Sequence, residues 1–300
     1  MLLAQMHDHG EPSLMPVIVA ALAISMMGGA MSVFVVLKRL AFIGQGISHA
    51  AFGGVGIALV LGIHGATTAG AIGQIGVVVA FSVLAALWIA AITRSQEGRT
   101  DTAIGVVLSA SMALGFVLFS VAESGHDHDA HGHATEGHED QHHLIEEILF
   151  GNVLNTDWPK AVIAVVVGLG LILLTWLLRR RLIFWAFDEP VADAFGINSK
   201  RLTNVFMVML ALSVVMAMQI AGVVLAAAML VLPGAAALNL SAKLRSVFIF
   251  SLVISLVGAG IGLMIGIQGE YPIGPMVVLV QSVIYLVSLG IKVVASKLRS

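Results

Sequence analysis

The chain has 300 residues, of which 59% are hydrophobic and 11% charged, with a net charge of −2 and no cysteine. Soluble globular domains carry about 25% charged residues, so the composition excludes a soluble protein and places the chain in a bilayer. The charge balance gives no footprint for nucleic acid, and the lack of cysteine excludes disulfides and thiolate metal sites.

A helix needs about 20 apolar residues to cross the hydrocarbon core. In chain order, nine spans are predicted, at 16–37, 46–64, 68–92, 102–122, 160–178, 203–219, 221–240, 247–267 and 273–294. The sixth and seventh are joined almost without a loop at "MAMQIAGVV", and fusing them gives eight. The first run reads as a retained helix. Residues 1–15 hold His7, Asp8, His9 and Glu11 with no basic stretch, and Lys38 and Arg39 follow the run instead of preceding it. The expected fold is all-α: one polytopic transmembrane bundle over 1–300.

Basic residues orient the map. Lys38, Arg39, Arg94, Arg99, Arg179, Arg180, Arg181, Lys200, Arg201, Lys243, Arg245, Lys292, Lys297 and Arg299 fall on one side of a nine-span chain, and Lys160 on the other. The positive-inside rule makes the crowded side cytoplasmic, with the N-terminus outside and the C-terminus inside. The outer side carries a histidine-rich loop at 123–143, within a longer connection that ends near 159. His126, His128, His131, His133, His138, His142 and His143 crowd it, and His142 and His143 stand four residues before Glu146 and Glu147. Such a tract reads as metal capture. The following "LIEEILFG" suits a short helix at the membrane surface.

Few polar residues lie inside the spans, where they are expensive and usually face protein or a water-filled path. Gln45 and His49 are four apart and share a helix face, with Ser48 beside them and small residues around them. Imidazole suits zinc, iron, copper and nickel, and manganese favours oxygen donors. One His and one Gln make a poor site, but a two-fold dimer would bring two of each to one axis. The alternative is a neutral His49 bonded to a backbone carbonyl or a serine. Pro233 in "AMLVLPGAAA" predicts a kink in span seven. No phosphate-binding loop occurs, so any ATP must bind another chain.

Several stretches together resemble the permease subunits of the zinc/manganese/iron-class ABC transporters: "LKRLAFIGQGISHAAFGGVGIAL", "GRTDTAIGVVLSASMALGFVL" with Thr100 or Asp101 as helix cap, "LFGNVLNTDW", "FDEPVADAFGI", "AGVVLAAAMLVLPGAAA" and "PIGPMVVLVQSVIYLVSL". The resemblance implies a transport subunit, not an enzyme. It further implies a homodimer working with an ATP-binding subunit and an extracytoplasmic metal-binding protein, with no permanently held cofactor and a divalent metal as cargo. The histidine-rich loop points to zinc, with manganese or iron as the alternative. His49 matches the family's pathway histidine, and Gln45 stands where many members have aspartate. Asp188, Glu189, Ala192 and Gly196 fall in the segment, 182–200 here, that docks on the ATPase. A secondary metal carrier is a further alternative. It would need His and acid pairs in several spans, and His49 has no nearby acid.

Overall fold

The computed structural model describes residues 14–63, 68–95, 100–124, 156–269 and 271–298. The chain is helical, with no strand among the described residues. The helices are α1 (Leu14–Leu37), α2 (Ala41–Val60), α3 (Thr68–Ser95), α4 (Thr100–Ser124), α5 (Trp158–Phe187), α6 (Glu189–Ala194), α7 (Ser199–Met229), α8 (Leu232–Leu240), α9 (Leu244–Gly269) and α10 (Ile273–Lys297). Helices are what lipid permits, because each satisfies its own backbone where no water can. By length and composition the described residues hold eight membrane-spanning candidates, with α7 and α8 together counted as one of 42 residues.

That 42-residue stretch is a hairpin. Straight, it would be about 63 Å long, twice the thickness of the hydrocarbon core. On its way in, Phe206 meets Phe34 of α1 with ring centroids 6.2 Å apart. Further on, Ile220 and Ala221 border a small cavity with Ala21 and Ser25, so this arm runs antiparallel to α1. Beyond Gly222, Met229 lies against Gly28 and Gly234 against Ser32, so the second arm runs back parallel to α1. Gly222 makes the reversal at φ 81° and ψ 167°, a conformation that glycine alone adopts readily. The join expected at 219–221 is therefore a turn at Gly222.

Neighbouring contacts fix the other directions. Ser251 Oγ donates to the Gly29 carbonyl at 2.7 Å and Ser255 Oγ to the Ser25 carbonyl at 2.7 Å, so α9 is antiparallel to α1. Gly46 lies against Ile104 and Gly56 against Gly115, so α4 runs parallel to α2. Arg94 reaches Asn204 at 2.7 Å, and Lys292 reaches Asn239 at 3.2 Å. These contacts gather Lys38, Arg39, Arg94, Lys200, Arg201, Lys243, Arg245, Lys292 and Lys297 at one end of the bundle. Leu14 and Lys160 lie at the other. The first is called the basic end below.

The centre is built from α1 and α7, where Met27, Met31, Phe34, Met209, Leu210, Val214 and Val215 are buried. Outer helices turn their large apolar residues to lipid, as Leu173 of α5, Ile261 of α9 and Leu286 of α10 do.

Two expectations need correction. Span five does not stop at residue 178. Its helix runs to Phe187 and includes Arg179, Arg180 and Arg181. Arginine is a good helix former with a stem long enough to carry its charge to the interface, so the triplet does not break the helix. Pro233 does not kink a continuous helix. It occupies the first turn of α8, where its missing N–H is not needed, after the chain has already left helical geometry at Val231.

Candidate functional site: a pathway face on α2 and a docking segment at the basic end

α2 is held tightly on one side. A Cβ added to Gly53 would sit 2.9 Å from the Ser111 carbonyl of α4, and one on Gly54 would sit 3.0 Å from Cα of Val78 in α3. Only glycine lets both backbones approach so closely. The opposite strip is left uncovered. Phe42 is 60% exposed, Gln45 is exposed and His49 is half-buried, at spacings that stack along one helical face.

The three predicted pathway residues divide. Gln45 and His49 share the uncovered face, and neither side chain has a hydrogen-bond partner among the described residues. Ser48 points the other way. It is fully buried, and its hydroxyl donates to the Gly44 carbonyl at 2.9 Å within the same helix. Among the described residues there is no group of three His, Cys, Asp or Glu side chains that could hold a metal ion. A single copy therefore presents two donors and not a finished site. The predicted loop donors His126, His128, His131, His133, His138, His142, His143, Glu146 and Glu147 lie outside the described residues, as does the surface helix expected after them.

Of the predicted docking segment at 182–200, residues 182–187 complete α5. Asp188 is the N-cap of α6, its carboxylate accepting from Val191 N at 3.1 Å. Glu189 pairs with Lys38. Ala192 is buried, and Gly196 leaves the helix at φ 79°. The turn into α7 is stitched by Asp193, which accepts from Ser199 N at 2.9 Å, and by Asn198, which accepts from Arg201 N at 3.0 Å.

Three of the four predicted docking residues thus hold the segment together. Among its exposed polar residues, and on the end of α5 that leads into it, stand apolar side chains that the sequence alone did not single out. Phe195 is 75% exposed, Phe187 64%, Phe184 52% and Val191 41%. In a chain this rich in apolar residues, no sequence signal separates an exposed phenylalanine from a buried one.

Lys38 was likewise missed. Its Nζ lies 4.3 Å from the centroid of the Trp185 ring while it pairs with Glu189. Trp185 is buried and donates to Thr203 Oγ1 at 3.0 Å. Lys38 stands three residues before α2 begins, and Arg39, between them, has φ 57°. The lysine therefore ties the docking segment to the start of the helix that carries Gln45 and His49.

Eight membrane-spanning candidates among the described residues, a buried apolar centre, an uncovered polar pair and a projecting segment at the basic end fit a polytopic transport permease. The sequence model described as the ABC 3 transport family matches residues 11–292, and the chain belongs to that family. It is 32% identical over 271 residues to the manganese import system permease protein ScaB of Streptococcus parasanguinis, covering 90% of this chain and 88% of that one. It is 27% identical over 273 residues, 91% of each chain, to a protein of Haemophilus influenzae described as "Probable iron transport system membrane protein". Among solved structures it is similar to PsaBC from Streptococcus pneumoniae in complex with Fab. That match has a TM-score of 0.74 and 28% identity, covering 95% of this chain and 93% of that one.

Proposed function

We propose that this chain is the permease subunit of an ATP-driven importer of divalent metal ions, with manganese as the leading cargo and iron next. The chain is a membrane permease and not an enzyme, so ATP hydrolysis belongs to a separate subunit docked at the basic end. By the positive-inside rule that end is cytoplasmic, with Leu14 outside. Support for manganese comes from the relatives, which are manganese and iron systems at 27–32% identity. The zinc preference rests on the histidine-rich segment alone, and imidazole suits iron, copper and nickel as well as zinc.

The observation that carries the proposal is the uncovered face of α2. Gln45 and His49 are aligned and unsatisfied within one copy, and intramembrane polar groups without partners are costly. A second copy meeting this face across a two-fold axis would assemble two amide oxygens and two imidazoles. Neutral donors of this kind hold a dication loosely, which suits a site that must release its cargo. The amide oxygen of Gln45 moves the set towards the oxygen donors that manganese favours. On closure of the ATP-binding subunits, the docking segment would move as one piece, and Lys38 would carry that motion into the start of α2.

The test is reconstitution with the ATP-binding subunit and the extracytoplasmic metal-binding protein, followed by ATP-dependent uptake from a panel of manganese, iron and zinc. Manganese uptake is expected to exceed zinc uptake. The reverse order would return the chain to the zinc reading, and ATP-independent uptake would make it a secondary carrier.

A further inference from the structure

A cleft of about 760 Å³ opens between α5 and α9, with α1 as its floor. Its walls are Ile172, Trp176, Ile183, Phe248, Ile249 and Leu252, and its floor includes Ala30 and Thr175. Trp176 is 57% and Ile249 52% exposed, so the cleft faces outward from the bundle, where the acyl chains are. Thr175 directs its hydroxyl to the Leu171 carbonyl at 2.7 Å, which leaves the depth of the cleft apolar.

Two guanidiniums, 66 positions apart in the chain, converge on this cleft: Arg179 from α5 and Arg245 from the first turn of α9. None of the lining residues is acidic. Arg179 lies over the Trp176 ring at 4.7 Å, and neither arginine has a carboxylate partner among the described residues. Their depth matters. Thr175 lies level with Met31 of α1, its Oγ1 3.6 Å from that sulfur, so Arg179 sits one turn nearer the basic end. Arg245 stands at the basic-end start of α9. The cleft therefore has two cations at interface depth and an apolar groove running inward from them.

We propose that this cleft is a binding site for an anionic phospholipid of the leaflet at the basic end, with the headgroup phosphate between Arg179 and Arg245 and an acyl chain along Ile172, Phe248 and Leu252. Charge complementarity selects the ligand. Two unneutralised guanidiniums recognise phosphate through paired donors, and basic pockets between membrane helices hold anionic headgroups. A zwitterionic lipid would bring its own cation against both arginines. The occupant would brace α5, which leads directly into the docking segment, against α9. The site depends on neither the cargo nor the dimer, so its failure leaves the transport reading untouched.

The test uses the full chain equilibrated in mixed micelles of equal phosphatidylglycerol and phosphatidylcholine, with retained lipid counted by native mass spectrometry. Each arginine is expected to contribute about five-fold to the preference for phosphatidylglycerol, so the wild type should favour it by about 25-fold. Arg179→Gln and Arg245→Gln should each lose about five-fold, and the double variant should retain both lipids alike. Ile249→Trp keeps both charges but fills the mouth of the cleft, and should release the lipid. Arg180→Gln with Arg181→Gln, outside the cleft, should keep most of the preference. Equal retention of both lipids by the wild type, an unchanged preference in the double Gln variant or in Ile249→Trp, or an equal loss in the Arg180/Arg181 control would each overturn the proposal. Displacement by soluble glycerol phosphate would also overturn it, by reducing the site to a phosphate site.

Discussion

The uncovered face of α2 and the docking segment at the basic end both carry polar residues that stand out in a hydrophobic sequence, yet the two regions use them in opposite ways. In the segment predicted to dock, Asp188, Asp193, Asn198 and Glu189 all bond within the chain although they are exposed, and phenylalanine and valine side chains stand exposed among them. On α2 the buried side is glycine against backbone, and Gln45 and His49 have no partners among the described residues. A polar group bonded at home is part of the fold. One held open on a rigid helix is available to a ligand or a second copy.

The largest effect should come from His49→Ala. Removing a donor from a metal pathway should cut ATP-dependent manganese uptake by about 100-fold, the upper range for disturbing a metal's surroundings. Because His49 has no partner to lose, the thermal unfolding midpoint should hardly move. A large loss of stability with normal uptake would place His49 in the fold and reverse the comparison.

Next comes Phe195→Ser on the docking segment. An exposed aromatic that anchors an interface is worth about 2 kcal/mol or more. The variant should bind the ATP-binding subunit about 30-fold more weakly in a pull-down titration while the permease itself stays folded. Unchanged affinity would move docking elsewhere on the basic end.

Lys38→Ala sharpens the link between the regions. It loses a contact to the Trp185 ring and an ion pair, together about 1–2 kcal/mol at this largely shielded position. Its expected signature is coupling: ATP hydrolysis in the assembled complex continues while metal moved per ATP falls. A parallel fall in both would make Lys38 merely structural. The smallest effect is expected from Asp188→Ala, which removes a helix cap worth about 1 kcal/mol. It should lower stability slightly and leave ATPase affinity within about two-fold, because the carboxylate faces its own helix.

Much of this architecture was legible in the sequence. Apolar runs separated by basic clusters located the helices, since a continuous apolar run of about 20 residues satisfies its own backbone in lipid as a helix. The i,i+4 spacing put Gln45 and His49 on one face. Ser48, adjacent in sequence, points 100° away and was grouped with them by proximity alone. Asp188 and Glu189 drew attention because charge is rare here, but rarity does not show whether a charge is bonded. Phe195 and the Arg179–Arg245 cleft depend on which surfaces three-dimensional packing leaves open, and no periodicity encodes that. The limits of α5 were misjudged because arginine was read as a boundary, although its backbone remains helical.

The hairpin at Gly222 carries a consequence for how the protein is made. Its two arms have no loop between them, so the first arm cannot halt and wait while a connecting segment emerges. The pair must move into the bilayer together, already folded back on itself. Substitution at position 222 is therefore expected to disturb insertion as well as the folded state. A bulky residue there would disfavour the reversal, leave an apolar stretch too long for the bilayer, and put all that follows on the wrong side of the membrane. Such a variant would be cleared by quality control before its transport could be measured.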